Sequence, residues 1–340
     1  MRAAVFHGAG RITIEKVPDP EPAPDGLVVR VGRCGVCGGD VSMTSGTAFD
    51  YPLGQHIGHE CAGEVVAVGR EVSDIRVGDR VACMPASGCG VCEVCREGRP
   101  LLCRAIIQHG GGFADYMTPL ARGVTRLPDS LSLADGALVE PIACGLHALR
   151  QVGLRGGERV LVLGAGAMAM AIVFWARRLG AGRIVVASRS ARRTEAALAM
   201  GADAVHGFVD EDPAALAQAL GGPPDVVAEC VGKPGLLNLA ISHARIGGAV
   251  ISMGMCAQHE PLIPAGCTFK EVRLYFPLAY SPEEFAQTAR AFDAGELRPE
   301  LMVGEVIALE DLPATIEALR AGKPALKIQV DPGLPPGRGI

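Results

Sequence analysis

The sequence is poor in aromatic residues and in charge. Aromatic side chains make up 4% of its 340 residues, with a single tryptophan, and charged side chains make up 20%. The formal net charge is −5, so the chain has no basic footprint for a phosphate backbone, and we do not expect nucleic acid as a partner. The longest apolar stretches, such as 160–163 and 167–176, are far shorter than the roughly 20 residues of a membrane span, so we expect no membrane partner.

The sequence also shows no secretory leader, although it contains twelve cysteines. Disulfides persist in oxidising compartments, whereas thiols inside the cell stay reduced. We therefore predict a cytoplasmic protein whose cysteines hold metal or pack as small buried side chains.

Four of the cysteines lie close together in a glycine-rich segment. They are spaced Cys-x2-Cys-x2-Cys-x7-Cys, at Cys89, Cys92, Cys95 and Cys103. Zn²⁺ favours four thiolate ligands at about 2.3 Å, and ligands two residues apart can bend around one ion. A disulfide framework is the alternative, but three cysteines so close together pair poorly. The segment therefore predicts a closed, structural zinc site.

A second metal site is suggested by Cys37 and, some twenty residues later, by His59 and Glu60, which are neighbours in the sequence. A catalytic zinc needs about three protein ligands of mixed nitrogen, sulfur and oxygen type and one open position. Either motif is weak alone, because a single cysteine or histidine is more often part of the core. Cys34 also forms a Cys-x2-Cys pair with Cys37, which leaves a second structural zinc as an alternative.

A dinucleotide-binding fingerprint follows in the middle of the chain. The apolar run 159–163 predicts a buried strand, and it leads through a Gly-x-Gly-x-x-Ala turn into an apolar helix. The first glycine permits the tight turn, the second lets a pyrophosphate approach the backbone, and the small third residue allows close helix packing. The predicted cofactor contacts in this turn are Gly164, Gly166, Ala167 and Met168.

Together these motifs resemble the zinc-containing medium-chain dehydrogenase/reductase family, and its polyol and threonine dehydrogenase branch more than the liver-type alcohol dehydrogenases. The resemblance runs from Met1 to about Pro332 and includes the segments 63–69, 77–81 and 139–148. In that branch a glutamate at the Glu140 position lies close to the catalytic zinc. The resemblance implies that Cys37 and His59 are zinc ligands, and that Glu60 and Glu140 are ligands able to exchange with water.

The order of predicted elements divides the chain into four segments. Short β-type runs broken by glycine and proline predict an irregular β-barrel, and alternating strands and helices predict a doubly wound parallel sheet. With the resemblance, the fold class is α/β, a Rossmann sheet plus a GroES-like catalytic domain. The predicted ranges are 1–144 for the catalytic domain with both zinc sites, 145–277 for the Rossmann domain, 278–332 for a return segment that completes the catalytic domain, and 333–340 for a flexible tail.

The cofactor preference can be argued from the end of the second Rossmann strand. An NAD site has a carboxylate there for the ribose hydroxyls, and this chain instead has Ser188, Arg189, Arg192 and Arg193. Guanidinium groups bind phosphate through a planar fork of donors. We predict that the cofactor is NADP(H), with Ser188 and Arg189 on the 2′-phosphate and Arg192 or Arg193 assisting. In the alternative, the arginines form a solvated helix start and Arg193 covers the adenine.

The resemblance implies direct hydride transfer between this cofactor and a small alcohol or carbonyl substrate. Zinc would act as a Lewis acid on the substrate oxygen in its open position. The nicotinamide is expected near Val231 and Met253, at the carboxyl ends of sheet strands. The expected substrate is a secondary alcohol or ketone of moderate size. A homodimer or homotetramer is expected because the family forms both.

One departure from the family concerns proton transfer. The family pattern has serine or threonine two residues after the ligand cysteine and histidine three residues later, whereas this chain has Gly39 and Ser42. In one hypothesis, a water molecule fills the gap left by Gly39. The proton is then carried onward by Ser42, by Glu60 or by another group. In another, Gly39 makes room for a bulky substrate.

Three other functions compete with this interpretation. The first is a protein of this fold that binds NADPH without turnover, which the missing relay would suit. The second is an NAD-dependent polyol dehydrogenase. The third is a zinc-independent quinone or enoyl reductase, although those relatives generally lack both metal sites.

Overall fold

The computed structural model describes residues 1–46, 50–109, 111–207, 213–293, 295, 297–323 and 325–338. Of the tail predicted at 333–340, Gly339 and Ile340 lie outside the described residues. Within its described part, the Gly333 N–H donates to Asp331 Oδ1 at 2.8 Å and the Gly337 N–H donates to Asp311 Oδ2 at 3.0 Å.

The chain folds into two compact units. The catalytic unit comprises Met1–Glu140, Ser281–Ala294 and Val303–Ile340, and the Rossmann unit comprises Pro141–Tyr280 and Gly295–Met302. The segment Gly295–Met302 thus groups with the Rossmann unit, although it lies inside the range predicted to return to the catalytic domain. Its local contacts explain this, because the Arg298 N–H donates to the Ala199 carbonyl at 3.4 Å and Met302 is buried.

The first part of the catalytic unit consists of short strands and single helical turns. In chain order they are β1 (Arg2–Phe6), β2 (Ile12–Lys16), β3 (Leu27–Gly35), α1 (Gly38–Ser42), β4 (Glu60–Val68), β5 (Arg80–Cys83), β6 (Ala86–Ser87), α2 (Glu93–Arg96), β7 (Ile107–Gln108), β8 (Tyr116–Met117), β9 (Val124–Arg126) and α3 (Leu133–Gly136).

Longer helices alternate with strands in the middle of the chain. They are α4 (Val139–Val152), β10 (Arg159–Leu163), α5 (Ala167–Arg178), β11 (Arg183–Ala187), α6 (Thr194–Ala199), β12 (Ala204–His206), α7 (Pro213–Leu220), β13 (Val226–Glu229), α8 (Leu236–His243), β14 (Ala249–Ser252), α9 (Pro264–Lys270) and β15 (Arg273–Tyr275). The last elements belong to the catalytic unit, namely α10 (Pro282–Asp293), β16 (Val303–Ala308), α11 (Leu312–Arg320) and β17 (Lys327–Asp331).

The sheet of the Rossmann unit has the strand order β12-β11-β10-β13-β14-β15, and every neighbouring pair is parallel. The first two strands of this unit, β10 and β11, are apolar and buried except at their first residue, as expected for strands covered by helices on both faces. This order is that of a doubly wound dinucleotide-binding sheet, so the predicted parallel sheet is confirmed. The carboxyl ends of β10, β11, β13 and β14 therefore lie along one edge.

The main sheet of the catalytic unit is mixed. Its order is β16-β17-β3-β4-β5-β9, with β8 also paired to β3, and all pairs but β16 with β17 are antiparallel. The strand β17 comes from the end of the chain and pairs with β3, so the two sequence ends of this unit share one core. Among the described residues, every helix is too short or too polar to span a bilayer.

A buried histidine connects two short strands of the catalytic unit. His109 is 1% exposed, and its Nδ1 lies 2.7 Å from the Met84 carbonyl, so Nδ1 carries the proton and donates it. Burial lowers the pKa of His109 to about 4, from 6.5 in an exposed chain, and the Met84 carbonyl opposes this shift only in part. The folded protein therefore holds a neutral imidazole that the unfolded chain would protonate near pH 6.

We predict that His109 makes the fold acid-sensitive. Because its pKa is lower in the folded state, the stability from the neutral ring is complete above about pH 6.5 and declines as the pH falls toward 4. The loss over this interval is about 3 kcal/mol. In His109→Gln, urea unfolding should show a shallower loss of unfolding free energy between pH 7 and pH 4. The exposed His206→Gln serves as control, and equal pH slopes for wild type and His109→Gln would contradict the assignment.

Candidate active site

Cys37 lies between β3 and the one-turn helix α1. The Gly39 N–H donates to the Cys37 sulfur at 3.3 Å, and the Cys37 N–H donates to Asp40 Oδ2 at 2.9 Å. Contacts within residues 37–40 therefore fix the position of this sulfur.

The imidazole of His59 is oriented by a buried carboxylate. His59 Nδ1 lies 3.2 Å from Asp40 Oδ1, and the Tyr51 hydroxyl donates to the same oxygen at 3.0 Å. Burial by itself lowers the pKa of His59, but the Asp40 carboxylate outweighs it and leaves that pKa above its ordinary value. Since Nδ1 faces Asp40, Nε2 is the ring nitrogen available to a metal, an arrangement common at histidine ligands.

Glu60 is the first residue of β4 and is fully buried. Lys327 Nζ, from β17, donates to both Glu60 carboxylate oxygens at 2.7 Å and to the Val36 carbonyl at 3.1 Å. Burial lowers the pKa of Lys327, but Glu60 and the Cys37 thiolate raise it more, and the net shift is upward. The carboxylate therefore lies beside a buried ammonium group.

These side chains form a compact donor cluster. Potential ligand atoms of Cys37, His59 and Glu60 all lie within 4.8 Å of one another. Sulfur, imidazole nitrogen and carboxylate oxygen are the mixed donor set that zinc accepts at catalytic sites, so the residues fit the metal. Glu140 is buried and its charge raises the pKa of Lys327, but it stands outside this group in the part of the chain described.

The second predicted cluster is also brought together. The sulfurs of Cys89, Cys92, Cys95 and Cys103 lie within 4.8 Å of one another, with Cys89 and Cys95 4.0 Å apart and Cys92 and Cys103 3.7 Å apart. Backbone N–H groups of Val91 and Cys92 lower the pKa of Cys89 to about 6. At Cys92 a backbone N–H also lowers the pKa, but the neighbouring thiols raise it more, to about 12. Four sulfur donors so close together match the ligand set of a structural zinc, so a zinc ion fits this cluster.

Cys34 belongs to neither group of the described residues. It is buried in β3, where it faces Cys61 of β4, which in turn faces Cys83 of β5. Burial raises the pKa of Cys34 well above that of a free thiol. These observations favour a core residue over the alternative of a second structural zinc shared with Cys37.

Six of the predicted cofactor residues line a cavity of about 510 Å³ in the Rossmann unit. Its wall includes Gly164, Gly166, Ser188, Arg189, Arg193 and Val231. Gly164 has φ +103°, and a Cβ there would lie 2.7 Å from a Val231 methyl group, so the first turn position requires glycine. Arg193 Nη1 donates to the Ala165 carbonyl at 3.1 Å, which places its guanidinium against the glycine turn.

A second cavity of about 600 Å³ lies at the carboxyl ends of β13 and β14. Met168, Glu229 and Met253 line it. Glu229 is buried, and its Oε1 accepts from the N–H groups of Val231 at 2.7 Å and Gly232 at 2.9 Å. Val231 lines the first cavity and Met253 the second, and the loops that carry them lie close together, because a Cβ at Gly254 would lie 2.0 Å from the Gly232 nitrogen. Ala167 begins α5 without lining either described cavity.

The two positions that depart from the family pattern differ in their surroundings. Ser42 is exposed, and its hydroxyl donates to the carbonyls of Gly38 at 3.1 Å and Gly39 at 3.2 Å. Gly39 adjoins the donor cluster, because a Cβ there would lie 3.5 Å from the Cys37 sulfur and 3.9 Å from His59 Cε1. Those are ordinary contact distances, so position 39 can accept a side chain.

Several residues of the site were not among those predicted from the sequence. The roles of Asp40 and Tyr51 depend on which side chains meet His59, and that of Lys327 depends on a strand more than 260 residues from Glu60. Lys233 lines the same cavity as Ser188 and Arg189. Of these residues, only Asp40 could have been recognised from its spacing. It is the third residue of α1, and its side chain accepts from the N–H of Cys37, the N-cap residue.

Comparisons with known proteins agree with this fold and site. A family model for the alcohol dehydrogenase GroES-like domain matches residues 23–129, and one for zinc-binding dehydrogenases matches residues 167–294. The sorbitol dehydrogenase of Bacillus subtilis strain 168 is 33% identical over 98% of this chain and 97% of its own length.

Solved structures give the same result. A zinc-binding dehydrogenase from Sinorhizobium meliloti 1021 bound to NADP has a TM-score of 0.87 and 30% identity, and covers 97% of this chain and 99% of its own. The 2R,3R-butanediol dehydrogenase of Bacillus subtilis has a TM-score of 0.87 and 28% identity, with 98% and 99% coverage. Fold and site together define an oxidoreductase with a GroES-like domain and a Rossmann domain, as predicted. The chain belongs to the zinc-dependent alcohol dehydrogenase family of medium-chain dehydrogenases/reductases, in its polyol dehydrogenase-like part.

We predict that Asp40→Asn disturbs both the fold and His59. The change removes the carboxylate charge beside His59, which should lower the free energy of unfolding by about 3 kcal/mol. In the metal-free protein it should also lower the pKa of His59, because Asp40 raises that pKa more than Cys37 does. Urea unfolding and histidine NMR titration measure the two effects. The exposed Asp74→Asn is the control, and an unchanged His59 pKa in Asp40→Asn would contradict the described contact.

Proposed function

We propose that this protein is a zinc-dependent alcohol dehydrogenase and ketone reductase that transfers a hydride between NADP(H) and a secondary alcohol or ketone. The observation that carries this proposal is the cluster of half-buried Cys37 and His59 with buried Glu60, in a chain whose second unit bears the dinucleotide turn. A structural protein of this fold would have no need to keep a mixed donor set beside a buried ammonium group.

The two clusters are proposed to hold one zinc ion each. Cys37 and His59 would hold the catalytic zinc, with Glu60 and Glu140 as carboxylates that can exchange with water at the metal. Cys89, Cys92, Cys95 and Cys103 would hold the structural zinc. When bound, the catalytic zinc supplies Lewis acidity to the substrate oxygen and NADP(H) supplies or accepts the hydride. Asp40 fixes the ring of His59, and Lys327 balances the buried charge of Glu60.

The preference for NADP(H) rests on the charge of the cofactor cavity. Ser188, Arg189, Arg193 and Lys233 line it, and its described wall includes no carboxylate. Cations and a hydroxyl suit a 2′-phosphate, whereas NAD needs an acceptor for ribose hydroxyls. The Sinorhizobium relative was solved with NADP bound, which supports the same choice. Lys233 lies in the loop after β13. It adds a cation to those that follow β11 on the wall of this cavity.

The proposed substrate class is supported by the relatives and by the space at position 39. Sorbitol and 2R,3R-butanediol, for which two relatives are named, both carry secondary hydroxyl groups. The space at Gly39 beside Cys37 and His59 suits either a water in proton transfer or a larger substituent on the reacting carbon. Ser42 is a less suitable relay group, since its hydroxyl donates to carbonyls of its own helix.

Self-association is also proposed, as a homodimer or homotetramer. The strand β15 is the outermost strand of the Rossmann sheet. Large apolar side chains of the same unit are exposed, including Met255, Ile263, Phe269 and Phe276. An uncovered strand edge beside exposed apolar side chains favours pairing with another chain.

We predict that Ser188→Asp reverses the cofactor preference. The zinc-loaded protein should oxidise NADPH faster than NADH with ketones and keto-sugars, as followed at 340 nm, and should contain two zinc ions per chain. An aspartate at position 188 would repel the 2′-phosphate and accept from the ribose, so the ratio of kcat/KM for NADPH over NADH should fall at least about a hundredfold, or roughly 3 kcal/mol.

The matched control for this change is Ser190→Asp, three residues beyond the end of β11 on the same cavity wall. An equal fall of the ratio in both variants would indicate a general charge effect instead of a specific contact. A wild-type preference for NADH would refute the role of Ser188 and Arg189. Tight NADPH binding with no oxidation of NADPH by any of the ketones and keto-sugars would favour the non-catalytic alternative.

We predict that Gly39→Thr separates the two roles of the glycine. A threonine fits at ordinary contact distances and places a hydroxyl beside the donor cluster. If Gly39 makes room for substrate, kcat/KM should rise for small alcohols such as 2-propanol and fall at least about tenfold for bulky ones, which corresponds to 1.4 kcal/mol. Gly38→Thr, at a position with no neighbouring atom within 4 Å, is the control. Slower turnover on every substrate would instead favour a water-mediated relay.

A further inference from the structure

Lys327 is a charged residue buried almost completely inside the catalytic unit. Its side chain is 3% exposed and the Glu60 side chain is fully buried. Lys327 Nζ donates to both carboxylate oxygens of Glu60, each at 2.7 Å, and to the Val36 carbonyl at 3.1 Å. An ammonium group has three hydrogen atoms to donate, so the described contacts use its full capacity.

The acceptors of Lys327 flank the two other metal donors. Val36 immediately precedes Cys37, and Glu60 immediately follows His59. The strand order β17-β3-β4 places Lys327 and Glu60 on either side of β3, because Gly35 of β3 pairs with Glu60 of β4 and with Gln329 of β17. One side chain from the end of the chain therefore contacts both segments that carry the donor cluster.

The glycine at position 35 permits this contact. A Cβ at Gly35 would lie 2.0 Å from Glu60 Oε2 and 3.1 Å from Glu60 Cβ. Real Cβ atoms do not approach other atoms so closely, so the Glu60 carboxylate could not occupy its position with any other residue at 35. The carboxylate passes over β3 at this one gap and reaches the ammonium group on the next strand.

Glu60 therefore has two competing cations. An oxygen of its carboxylate lies within 4.8 Å of the Cys37 and His59 donor atoms, while both oxygens accept from Lys327. Each hydrogen bond to the ammonium group occupies lone-pair directions and draws negative charge away from a metal. A carboxylate released from Lys327 would be buried without a counter-ion, and the nearest remaining cation would be the metal.

We infer that Lys327 is a positioning residue that restrains Glu60 from closing the open coordination position of the catalytic metal. The inference rests on the proposed metal site formed by Cys37, His59 and Glu60. With Lys327 present, Glu60 serves as a reversible ligand and the open position stays available to substrate. Without Lys327, Glu60 becomes a permanent ligand that competes with substrate.

The test compares Lys327→Met with wild type after the catalytic site has been loaded with Co²⁺, whose visible absorption reports its ligands. Two quantities are measured: the rate at which a chelator removes this metal, and the affinity of imidazole as a probe of the open position. In Lys327→Met we expect metal release to slow and imidazole affinity to fall, each by at least about tenfold, the scale of outer-shell effects on metal sites.

The direction of the change distinguishes this role from a merely structural one. An outer-shell residue that only supports its ligand is expected to weaken metal binding when it is removed. Faster metal release from Lys327→Met, or an unchanged imidazole affinity, would therefore overturn the inference. Lys323→Met, a partly exposed lysine four residues earlier, is the matched control and should leave both quantities unchanged.

Two further variants cover the case in which the methionine variant does not fold. Lys327→Met combined with Glu60→Gln removes both charges together and should keep the imidazole affinity of the wild type, because the competing carboxylate is gone. Lys327→Gln keeps a donor for Glu60 and should show a smaller change than methionine. Failure of the wild-type protein to bind Co²⁺ through Cys37 would refute the metal assignment and this inference together. Metal binding with no effect of Lys327 refutes the inference alone.

Discussion

The catalytic unit depends on the burial of two carboxylates beside two potential metal donors. Asp40 and Glu60 are both fully buried, and an ionised carboxylate without partners in the interior costs several kcal/mol. Each has its own partners: Asp40 accepts from the Cys37 N–H and the Tyr51 hydroxyl and faces His59, and Glu60 accepts from Lys327. The same contacts that make burial tolerable also fix the cysteine, the histidine and the glutamate of the cluster.

This constraint explains why the end of the chain must return to the catalytic unit. The strand β17 contributes the Lys327 ammonium group, and its pairing with β3 is antiparallel and central in the sheet. Gly35 gives the Glu60 carboxylate its path across β3. A fold that lacked the final strand would leave Glu60 as an unpaired buried charge, so the metal site and the closure of the sheet are one structural requirement.

The Rossmann unit shows a parallel use of a buried acid. Glu229 ends β13 and accepts from the N–H groups of Val231 and Gly232, which holds the loop that follows the strand. That loop borders the cavity of the glycine turn through Val231, and Glu229 itself borders the neighbouring cavity with Met253. The Glu229 carboxylate therefore shapes the walls of both cavities. The described wall of the cavity next to Ser188 contains cationic and hydroxyl side chains and no carboxylate.

The sequence by itself determined the features that depend on short spacing. The four cysteines of 89–103, the strand-turn-helix pattern around Gly164 and the alternation of strands and helices are local, because turn geometry and the two-residue and 3.6-residue periods act over a few residues. Cys37, His59 and Glu60 were weak signals by themselves and were recognisable through the resemblance of the whole chain to a known family.

Tertiary structure alone decided the partners of those residues. The pairing of Lys327 with Glu60 depends on strand order and register, which no local pattern encodes, and the path over Gly35 depends on two strands approaching each other. The grouping of Gly295–Met302 with the Rossmann unit likewise arises from packing between distant segments. Charge burial is a property of the assembled interior, so the sequence names the charged residues and only the fold determines which of them meet.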